Sequence, residues 1–379
     1  MSSLKFYGDE IITGPGSLEA IKKVMGQRFF IVTGKTALFR NGTIKRAEAF
    51  LKESDKDYDI LSGIGANPSV LDIEAGLIKM KEFNPDVVIA IGGGSVLDAA
   101  KVMTLMCEYE GLTIDAIKNG QAPEKRERVK LVAIPSTSGT ASEVTRAAVI
   151  TFPEENIKIG LKTKAFIPDL AILDGELALS MPPTVMVESG MDALTHSLEA
   201  YINKNADDFT KTIAKGAVEG LLKHLRQSFE IGDIESRQHV HNFSCLAGFA
   251  FQNAGLGMDH GIAHAFGGRF GTSHGLLNAI ALPYVLEYNG RDPAVAEDLE
   301  QLSRLIGKNI IEEVKDLNKT FNIPNSFSAA GIPEEEFKTH YDELLKHSLM
   351  GSTQRNPVTM DAAEMDKVLT SIYYGEKKF

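Results

Sequence analysis

The chain has 379 residues, more than one hydrophobic core usually fills, so we expect two closely associated domains. Its composition is that of an ordinary globular protein, with 43% hydrophobic and 24% charged residues. A net charge of −11, without any run of Lys and Arg among aromatic residues, argues against nucleic acid or an anionic membrane as the main partner.

Two further properties bear on the compartment. The two cysteines, Cys107 and Cys245, lie far apart without CxxC spacing, which excludes a disulfide framework and a thiolate zinc site and favours a reducing environment. The first ten residues lack the apolar core of a signal peptide, and no stretch approaches the roughly 20 apolar residues that a membrane span requires. We therefore expect a cytoplasmic protein.

The first half of the chain alternates β-like and helical patterns. The β-like runs cover 29–33, 59–61 (weaker), 87–91, 129–134, 147–152, 157–161 and 170–173, and the helical patterns cover 37–52, 70–83 and 96–106. This alternation predicts βαβ units and a largely parallel sheet with helices on both faces. The run 87–91 is uniformly apolar, as expected for a strand that is buried on both sides.

The texture changes after Pro182-Pro183. Helical periodicity then dominates, over 188–203, 210–229, 237–251, 298–305, 311–321 and 361–374. We predict an α/β domain over residues 1–182 and an all-helical domain over residues 183–379.

Two polar loops follow strands of the predicted sheet. The first, Gly92-Gly93-Gly94-Ser95, precedes a helix whose N-terminus offers free N–H donors to a phosphate, although it lacks the GxGxxG fingerprint. The second, 135–145, is rich in hydroxyl side chains that suit phosphate or ribose oxygens. Either loop alone is also typical of an ordinary turn. Because both should lie at one edge of the sheet, together they predict a nucleotide site. The candidate ligands are Gly93, Gly94, Ser95, Ser136, Thr137 and Thr140, whereas Asp98 suits a surface or capping position.

Histidines form the sharpest feature of the second half. Asp192 and His196 stand four residues apart in a helical pattern, so both can reach one divalent ion. His260, His264 and His274 follow in a single Gly-rich segment, and spacing alone does not decide which of them are ligands. One such histidine is more often a core residue, but four with an aspartate favour a metal site. Ligation by His and Asp without Cys favours Fe(II), Zn(II), Mn(II) or Co(II) over copper(I) or an iron–sulfur cluster.

At this level of detail the chain resembles the iron-containing (group III) alcohol dehydrogenases over nearly its whole length. The resemblance is carried by Gly-Gly-Gly-Ser-x-x-Asp-x-Ala-Lys at 92–101, Pro-x-Thr-x-Gly-Thr-x-Ser-Glu-Val-Thr at 135–145, Gly-Met-Asp-Ala-Leu-Thr-His at 190–196, and His-Gly-x-x-Asn-Ala-Ile-x-Leu-Pro at 274–283.

The resemblance implies a Rossmann-like nucleotide-binding domain, a helical metal-binding domain and an active site in the cleft between them. It implies that the metal ligands are Asp192, His196, His260 and His274, and that His264 lies near the nicotinamide and the substrate. It also places Asn67, Gly94, Ser95, Ser136, Thr137 and Lys158 on the cofactor. Phe251 resembles an aromatic residue of the substrate pocket, although core packing explains it equally well.

Three positions depart from the family pattern. Gly34, followed by Lys35, stands where many NAD-preferring members have Asp, which would bind the ribose 2′-hydroxyl and repel a 2′-phosphate. The change favours NADP(H) over NAD(H) and makes Gly34 a candidate cofactor residue. Ser273 and Gly175 each replace a proline of the family, and we expect changes of geometry there without loss of activity.

We therefore expect a metal-dependent alcohol dehydrogenase or aldehyde reductase that uses NAD(P)(H), with Fe(II) as the metal and Zn(II) as an alternative. His264 is the candidate catalytic residue, as a proton relay. The alternatives are a lyase of the dehydroquinate-synthase type, which should show several cationic residues where only Arg269 is found near the histidines, and a non-catalytic metal- or nucleotide-binding protein. The resemblance implies a homodimer. The sequence leaves the alcohol substrate open.

Overall fold

The structure is a computed structural model that describes residues 6–155 and 157–379. Two compact units make up the chain: the first runs up to Pro182 and also includes 232–245, and the second comprises 183–231 and 246–379. The predicted division at Pro182-Pro183 assigned 232–245 to the second domain. In the structure this segment groups with the first unit because its side chains bond to the strand ends there, as described below for Gln238.

A six-stranded parallel sheet forms the centre of the first unit. Its strands are β1 (Glu10–Thr13), β2 (Arg28–Gly34), β3 (Asp57–Ile64), β4 (Val87–Gly92), β5 (Lys130–Pro135) and β8 (Leu170–Leu173). Their order across the sheet is β1-β8-β5-β4-β2-β3, and every neighbouring pair is parallel. Two further strands, β6 (Ala147–Phe152) and β7 (Ile157–Lys162), form a separate antiparallel pair.

Strand β4 explains why the sheet is organised as predicted. It lies between β2 and β5, with Ile89 paired to Ile31 on one side and to Val132 on the other. All six of its residues are buried, which is why its sequence is uniformly apolar and does not alternate. The predicted α/β architecture with a parallel sheet is confirmed, while the short edge strand β1 was not predicted.

Helices of the first unit connect these strands. They are α1 (Ala37–Arg40), α2 (Thr43–Glu53), α3 (Val70–Phe83), α4 (Gly94–Glu108), α5 (Ile114–Lys118) and α6 (Gly175–Ala178), with 3-10 turns at Ser17–Lys23, Pro153–Glu155 and Lys164–Phe166. The single helix predicted over 37–52 is wrong, because Gly42 adopts a φ of 83° between α1 and α2 and ends the first of them. Helix α3 begins at a capping box formed by Ser69 and Asp72.

Residues 183–379, all of them described, fold into helices and their connections. The helices are α7 (Pro183–Ile202), α8 (Asp208–Glu230), α9 (Ile234–Ala254), α10 (Met258–Phe270), α11 (His274–Asn289), α12 (Pro293–Ile306), α13 (Ile310–Thr320), α14 (Glu334–Thr339), α15 (Tyr341–Ser348) and α16 (Ala362–Tyr374). This confirms the helical second half. Among the described residues, no helix combines the length and apolar character that a membrane span needs.

The departure at Gly175 has a local explanation. The Gly175 N–H donates a hydrogen bond of 2.7 Å to Oε1 of Gln238, which proline could not do. The Gln238 amide in turn donates to the carbonyl of Leu173 at the end of β8. A Cβ atom at position 175 would lie 2.8 Å from Oε1 and 3.0 Å from Cα of Gln238. Glycine at this position therefore lets the first turns of α9, which belong to the first unit, approach and bond to the end of β8.

Candidate active site

Three helices of the second unit bring a carboxylate and three imidazoles together. Helix α7 carries Asp192 and His196 one turn apart on a buried face, α10 supplies His260, and His274 is the first residue of α11. Oδ1 of Asp192 lies 3.9 Å from Nε2 of His196, 3.6 Å from Nε2 of His260 and 3.7 Å from Nε2 of His274. The helical spacing inferred from the sequence thus places both α7 side chains at one point.

Asp192, His260 and His274 form the tightest donor cluster, with their ligand atoms all within 4.8 Å of one another. His196 lies at its border, with its ring stacked on that of His260 at a centroid distance of 4.5 Å. The His196 ring also stacks on the ring of Phe251, at a centroid distance of 4.3 Å. Phe251, for which the substrate pocket and core packing were equal explanations, is therefore a neighbour of a candidate ligand.

Asn278 contacts three of the candidate metal ligands. Its amide nitrogen lies 2.8 Å from Oδ1 of Asp192, 3.3 Å from Nε2 of His260 and 3.2 Å from Nε2 of His274. The Asn278 amide nitrogen therefore lies within hydrogen-bond distance of three candidate ligands. Its own amide oxygen is buried without a hydrogen-bond partner among the described residues.

The electrostatics of the cluster match a cation site. Burial opposes ionisation of Asp192, but the neighbouring His196, His260 and His274 outweigh this effect and hold the pKa of the carboxyl below its usual value. Burial alone would lower the pKa of the His260 imidazole. The carboxylates of Asp192 and Glu199 outweigh it and raise this pKa to about 10. The site thus attracts positive charge from any source, a proton included.

These residues fit a divalent metal ion. Tetrahedral sites with N and O ligands have bonds of about 2.1 Å, which puts the ligand atoms about 3.4 Å apart. The spacings of 3.6–3.9 Å between Oδ1 of Asp192 and the three Nε2 atoms come within a few tenths of an ångström of this value, while His196 lies outside the set of donor atoms that are all within 4.8 Å of one another. A donor set of one carboxylate and three imidazoles suits Fe(II) and Zn(II).

His264 lies next to this cluster and outside it. Its ring stacks on His274 at a centroid distance of 4.8 Å and meets His260 edge-on at 6.0 Å. The residue is exposed to solvent. The protein atoms around the ring and the charges of His274 and His260 nevertheless hold its pKa well below the ordinary value. The ordinary histidine pKa on which the relay hypothesis relied is thus not found here.

The polar loops of the first unit meet at the carboxyl ends of β4 and β5. The Ser136 N–H donates to the carbonyl of Gly92 at 2.9 Å. A Cβ atom at Gly94 would lie 2.6 Å from Oγ1 of Thr140, and one at Gly93 would lie 3.5 Å from the Thr137 side chain. The glycines therefore let the two loops touch, and the first turn of α4 begins there without a side-chain cap.

Asn67 joins this group although it comes from a different loop. Its N–H donates to Oγ of Ser95 at 3.3 Å, and its carbonyl accepts a hydrogen bond from Thr151 on β6. Lys158 stands opposite Thr151 in the β6–β7 pair and is exposed. Gly34 ends β2 beside Ile64 of β3. Gly34 and the loop residues thus lie at the carboxyl ends of strands of the sheet, and Lys158 is connected to them through Thr151 of the separate β6–β7 pair.

Comparison with known proteins shows to which family the chain is related. Residues 8–175 match the family described as iron-containing alcohol dehydrogenase, and residues 186–373 match the Fe-containing alcohol dehydrogenase family, C-terminal. The chain belongs to the iron-containing alcohol dehydrogenase family. It is 40% identical to an NADPH-dependent butanol dehydrogenase of Clostridium saccharobutylicum, over 97% of each chain. A 1-propanol dehydrogenase of Citrobacter freundii is 35% identical over 96% of this chain and 97% of its own.

Solved structures agree with this assignment. The iron-containing alcohol dehydrogenase of Thermococcus thioreducens superposes with a TM-score of 0.91 at 34% identity, covering 99% of this chain and 100% of its own. The two-part fold of this family member is therefore that of solved iron-containing alcohol dehydrogenases.

Four polar residues that the sequence analysis did not select contact the candidate site of this alcohol dehydrogenase. Asn278 and Glu199 bond to the candidate metal ligands. Their helical spacing could have revealed them, since Asn278 follows His274 by one turn and Glu199 follows His196 by nearly one. Ser142 and His241 bond to the polar segments of the first unit.

Asp98 is part of that bonding and is not a surface or capping residue. Its carboxylate accepts hydrogen bonds from Oγ of Ser142 at 2.6 Å and from the N–H of Val149 at 2.8 Å. Burial raises the pKa of Asp98, whereas the Lys101 charge and these two donors partly offset the rise. The residue ties α4 to the second polar loop and to β6.

The departure at Ser273 also gains an explanation within this alcohol dehydrogenase. The Ser273 hydroxyl donates to Oε2 of Glu188 at 2.6 Å, one residue before His274. A Cβ atom at Gly275 would lie 2.3 Å from the backbone oxygen of Glu188. Helix α11 therefore starts in close contact with α7, and the serine side chain adds a bond that proline could not form.

Proposed function

We propose that the chain is a metal-dependent alcohol dehydrogenase, or aldehyde reductase in the reverse direction, that transfers hydride between NAD(P)(H) and a small aliphatic alcohol or aldehyde. The observation that carries the proposal is the cluster of Asp192 with the Nε2 atoms of His196, His260 and His274. Relatives named for butanol and 1-propanol support short primary alcohols as the substrate class. Neither these names nor the site favours the lyase or the non-catalytic alternative.

Each side chain of the metal site has a distinct part in this proposal. When bound, the divalent ion supplies Lewis acidity toward the substrate oxygen and the nicotinamide carries the hydride. Asp192 offsets part of the positive charge, and three neutral imidazoles leave the rest available. Fe(II) is the proposed metal on family grounds, and Zn(II) suits the same donors.

The first unit would hold the coenzyme. We assign the pyrophosphate to Gly93, Gly94 and Ser95 at the start of α4, where backbone N–H groups point out of the helix. Ser136, Thr137 and Thr140 supply hydroxyl groups from the second loop, and Asn67 and Lys158 complete the set.

NADP(H) is the proposed coenzyme because of the end of β2. Gly34 offers no carboxylate to repel a 2′-phosphate, and the exposed Lys35 follows it. The name of the Clostridium relative, which specifies NADPH, supports the same preference.

His264 is the proposed proton relay. Its ring stacks on that of His274 and is partly exposed, so it lies between the metal site and solvent. Because the lowered pKa of His264 disfavours the imidazolium form, the ring would take up the proton of the alcohol only to pass it on to water.

Two further properties are proposed on sequence grounds. The low cysteine content supports a cytoplasmic location. The family resemblance supports a homodimer.

The test strips the protein of metal, reloads it with Fe(II) or Zn(II), and follows oxidation of NADPH and NADH with a panel of aldehydes. We expect turnover of butanal and propanal that depends on the added metal, faster with NADPH than with NADH. Absence of turnover with every coenzyme, metal and carbonyl would sink the proposal. Turnover without metal would overturn the role of the histidine cluster alone.

A further inference from the structure

Glu199 is a buried carboxylate directly behind one of the candidate metal ligands. It lies on α7, and its side chain is 1% exposed. Oε2 accepts a hydrogen bond from Nδ1 of His260 at 2.7 Å, and Oε1 accepts one from the backbone N–H of Asp259 at 2.8 Å. Both carboxylate oxygens are therefore used to hold the start of α10.

Gly257 leaves the space that the Glu199 carboxylate occupies beside the start of α10. A Cβ atom at position 257 would lie 2.7 Å from Oε1 of Glu199 and 2.9 Å from Oδ1 of Asn356. Its φ of −118° is open to any residue, so the glycine is needed for space and not for its backbone conformation. The turn before α10 therefore has no side chain at the point where the Glu199 carboxylate lies.

The hydrogen bond fixes which nitrogen of His260 carries the proton. An ionised carboxylate only accepts hydrogen bonds, so Nδ1 keeps its proton when His260 gives up the other one and becomes the neutral imidazole that a metal ion binds. Nε2 then keeps its lone pair, and this is the atom that lies 3.6 Å from Oδ1 of Asp192. Outer carboxylates of this kind orient metal-bound histidines and increase their basicity.

We propose that Glu199 is a positioning residue for the metal site, which holds His260 in the tautomer and orientation that present Nε2 to a divalent ion. The inference rests on the proposed function, because it assumes that the Asp192 cluster binds metal. Glu199 does not touch the substrate or the coenzyme in this proposal. It acts only through His260.

Replacing Glu199 by Gln tests the idea with little change of shape. A glutamine offers one acceptor and one NH₂ group where the carboxylate has two acceptors. If its oxygen keeps the Asp259 N–H, its NH₂ group faces Nδ1 of His260 and favours the proton on Nε2, which then cannot bind metal. If its oxygen keeps Nδ1, the NH₂ group faces the Asp259 N–H and pushes the start of α10 away.

The measurement is the affinity of metal-stripped protein for Co(II), by competition with a chromogenic chelator, together with the visible spectrum of the bound ion. We expect Glu199→Gln to weaken binding by about 10- to 100-fold and to change the spectrum, since this is the usual effect of losing an outer carboxylate. NADPH binding, followed by nicotinamide fluorescence, should stay at the wild-type value.

Glu313→Gln is the matched control. Glu313 is also a buried carboxylate of the second unit, 5% exposed and paired with Arg226 at 3.0 Å, but it lies on α13. We expect this variant to lose stability and keep the wild-type Co(II) affinity and spectrum. If Glu199→Gln does not fold, Gly257→Ala displaces the carboxylate without removing it and should weaken Co(II) binding in the same way.

The outcomes separate this inference from the function on which it rests. Wild-type affinity and an unchanged spectrum in Glu199→Gln, or in Gly257→Ala where that variant replaces it, would overturn the positioning role and leave the metal site standing. Equal losses in Glu199→Gln and Glu313→Gln would reduce the effect to general stability and overturn it too. A wild-type protein that binds no Co(II), Fe(II) or Zn(II) would overturn the metal site itself.

Discussion

The amide nitrogen of Asn278 donates to Oδ1 of Asp192 at 2.8 Å, and its side chain is wholly buried. This bond holds the one negatively charged candidate ligand in the rotamer that faces the imidazoles. It joins α11 to α7 at the depth of the site.

Asn278→Ala removes that donor, so Asp192 loses its orientation. We expect metal affinity to fall by about tenfold, in line with the loss of a hydrogen bond to a charged group. Titration of the metal-stripped protein with Zn(II) measures it. Asn318→Ala is the control, since Asn318 is a buried amide that donates to the carbonyl of Ala279 on the same helix α11. An equal loss in both variants would contradict the prediction.

Coenzyme choice should respond to the end of β2. A Cβ atom at Gly34 meets nothing closer than the Ile64 carbonyl oxygen at 3.7 Å, so Gly34→Asp fits without a clash. The new carboxylate should repel a 2′-phosphate and lower kcat/KM for NADPH by about 10- to 100-fold, with NADH unchanged or improved. Lys35→Ala should lower the NADPH value alone, whereas Lys45→Ala on α2 should change neither coenzyme. Equal effects on both coenzymes would argue against this location of the phosphate.

His241 should make stability depend on pH. Its ring is buried, Nδ1 lies 2.8 Å from Oγ of Ser138, and burial lowers the pKa of the imidazole to about 4, partly opposed by Asp174. Between about pH 6.5 and 4 the unfolded chain therefore binds a proton that the folded protein does not. Stability should fall as the pH falls through this window, by up to about 3 kcal/mol.

His241→Asn keeps an acceptor near Ser138 and removes the titrating group. The difference in thermal midpoint between wild type and variant should shrink from pH 7 to pH 4. The exposed His347, replaced by Asn, gives the reference slope. A midpoint difference that is the same at every pH would count against the assignment.

Gly175 and Gln238 should be energetically coupled. Gly175→Ala forces a Cβ atom against Gln238 and should cost about 1–3 kcal/mol. In a Gln238→Ala background the same change should cost about 0.5–1 kcal/mol less, because the 2.8 Å contact with Oε1 is gone while those with Cα and Cβ of residue 238 at 3.0 Å remain. Chemical denaturation of the four proteins gives the coupling. Gly160→Ala on β7, where a Cβ atom meets nothing within 4 Å, shows the effect of the substitution alone. Strict additivity would contradict the contact.

Local patterns were sufficient where one element decides the outcome. The apolar run of β4 and the spacing of Asp192 and His196 on α7 follow from strand burial and helical geometry alone. The sequence does not indicate edge strand β1, because none of its four residues is fully buried and they show no alternation. The helical pattern of the sequence continues across Gly42, although the left-handed conformation of this glycine separates two helices.

The choice among the later histidines lay beyond such patterns. His260 and His264 share the spacing of a ligand pair on α10, yet His264 lies outside the donor cluster and His274 lies within it. Gly271, with a φ of 67°, ends α10 and allows the chain to turn back so that α11 begins with His274. Tertiary packing of α11 on α7 places His274, and not His264, in the donor cluster, and in the sequence only the family resemblance indicated this.

The four candidate ligands also differ in how easily each side chain can move away from a bound metal ion. The side chains of Asp192, His196 and His260 are 6%, 6% and 1% exposed, while that of His274 is 37% exposed. Buried ligands cannot swing away without opening the core, so an ion held here would leave by first losing His274. The residence time of the ion would then depend on how easily His274, the first residue of α11, moves away. The hydrogen bond between Ser273 and Glu188 opposes that movement because it holds the start of α11 against α7.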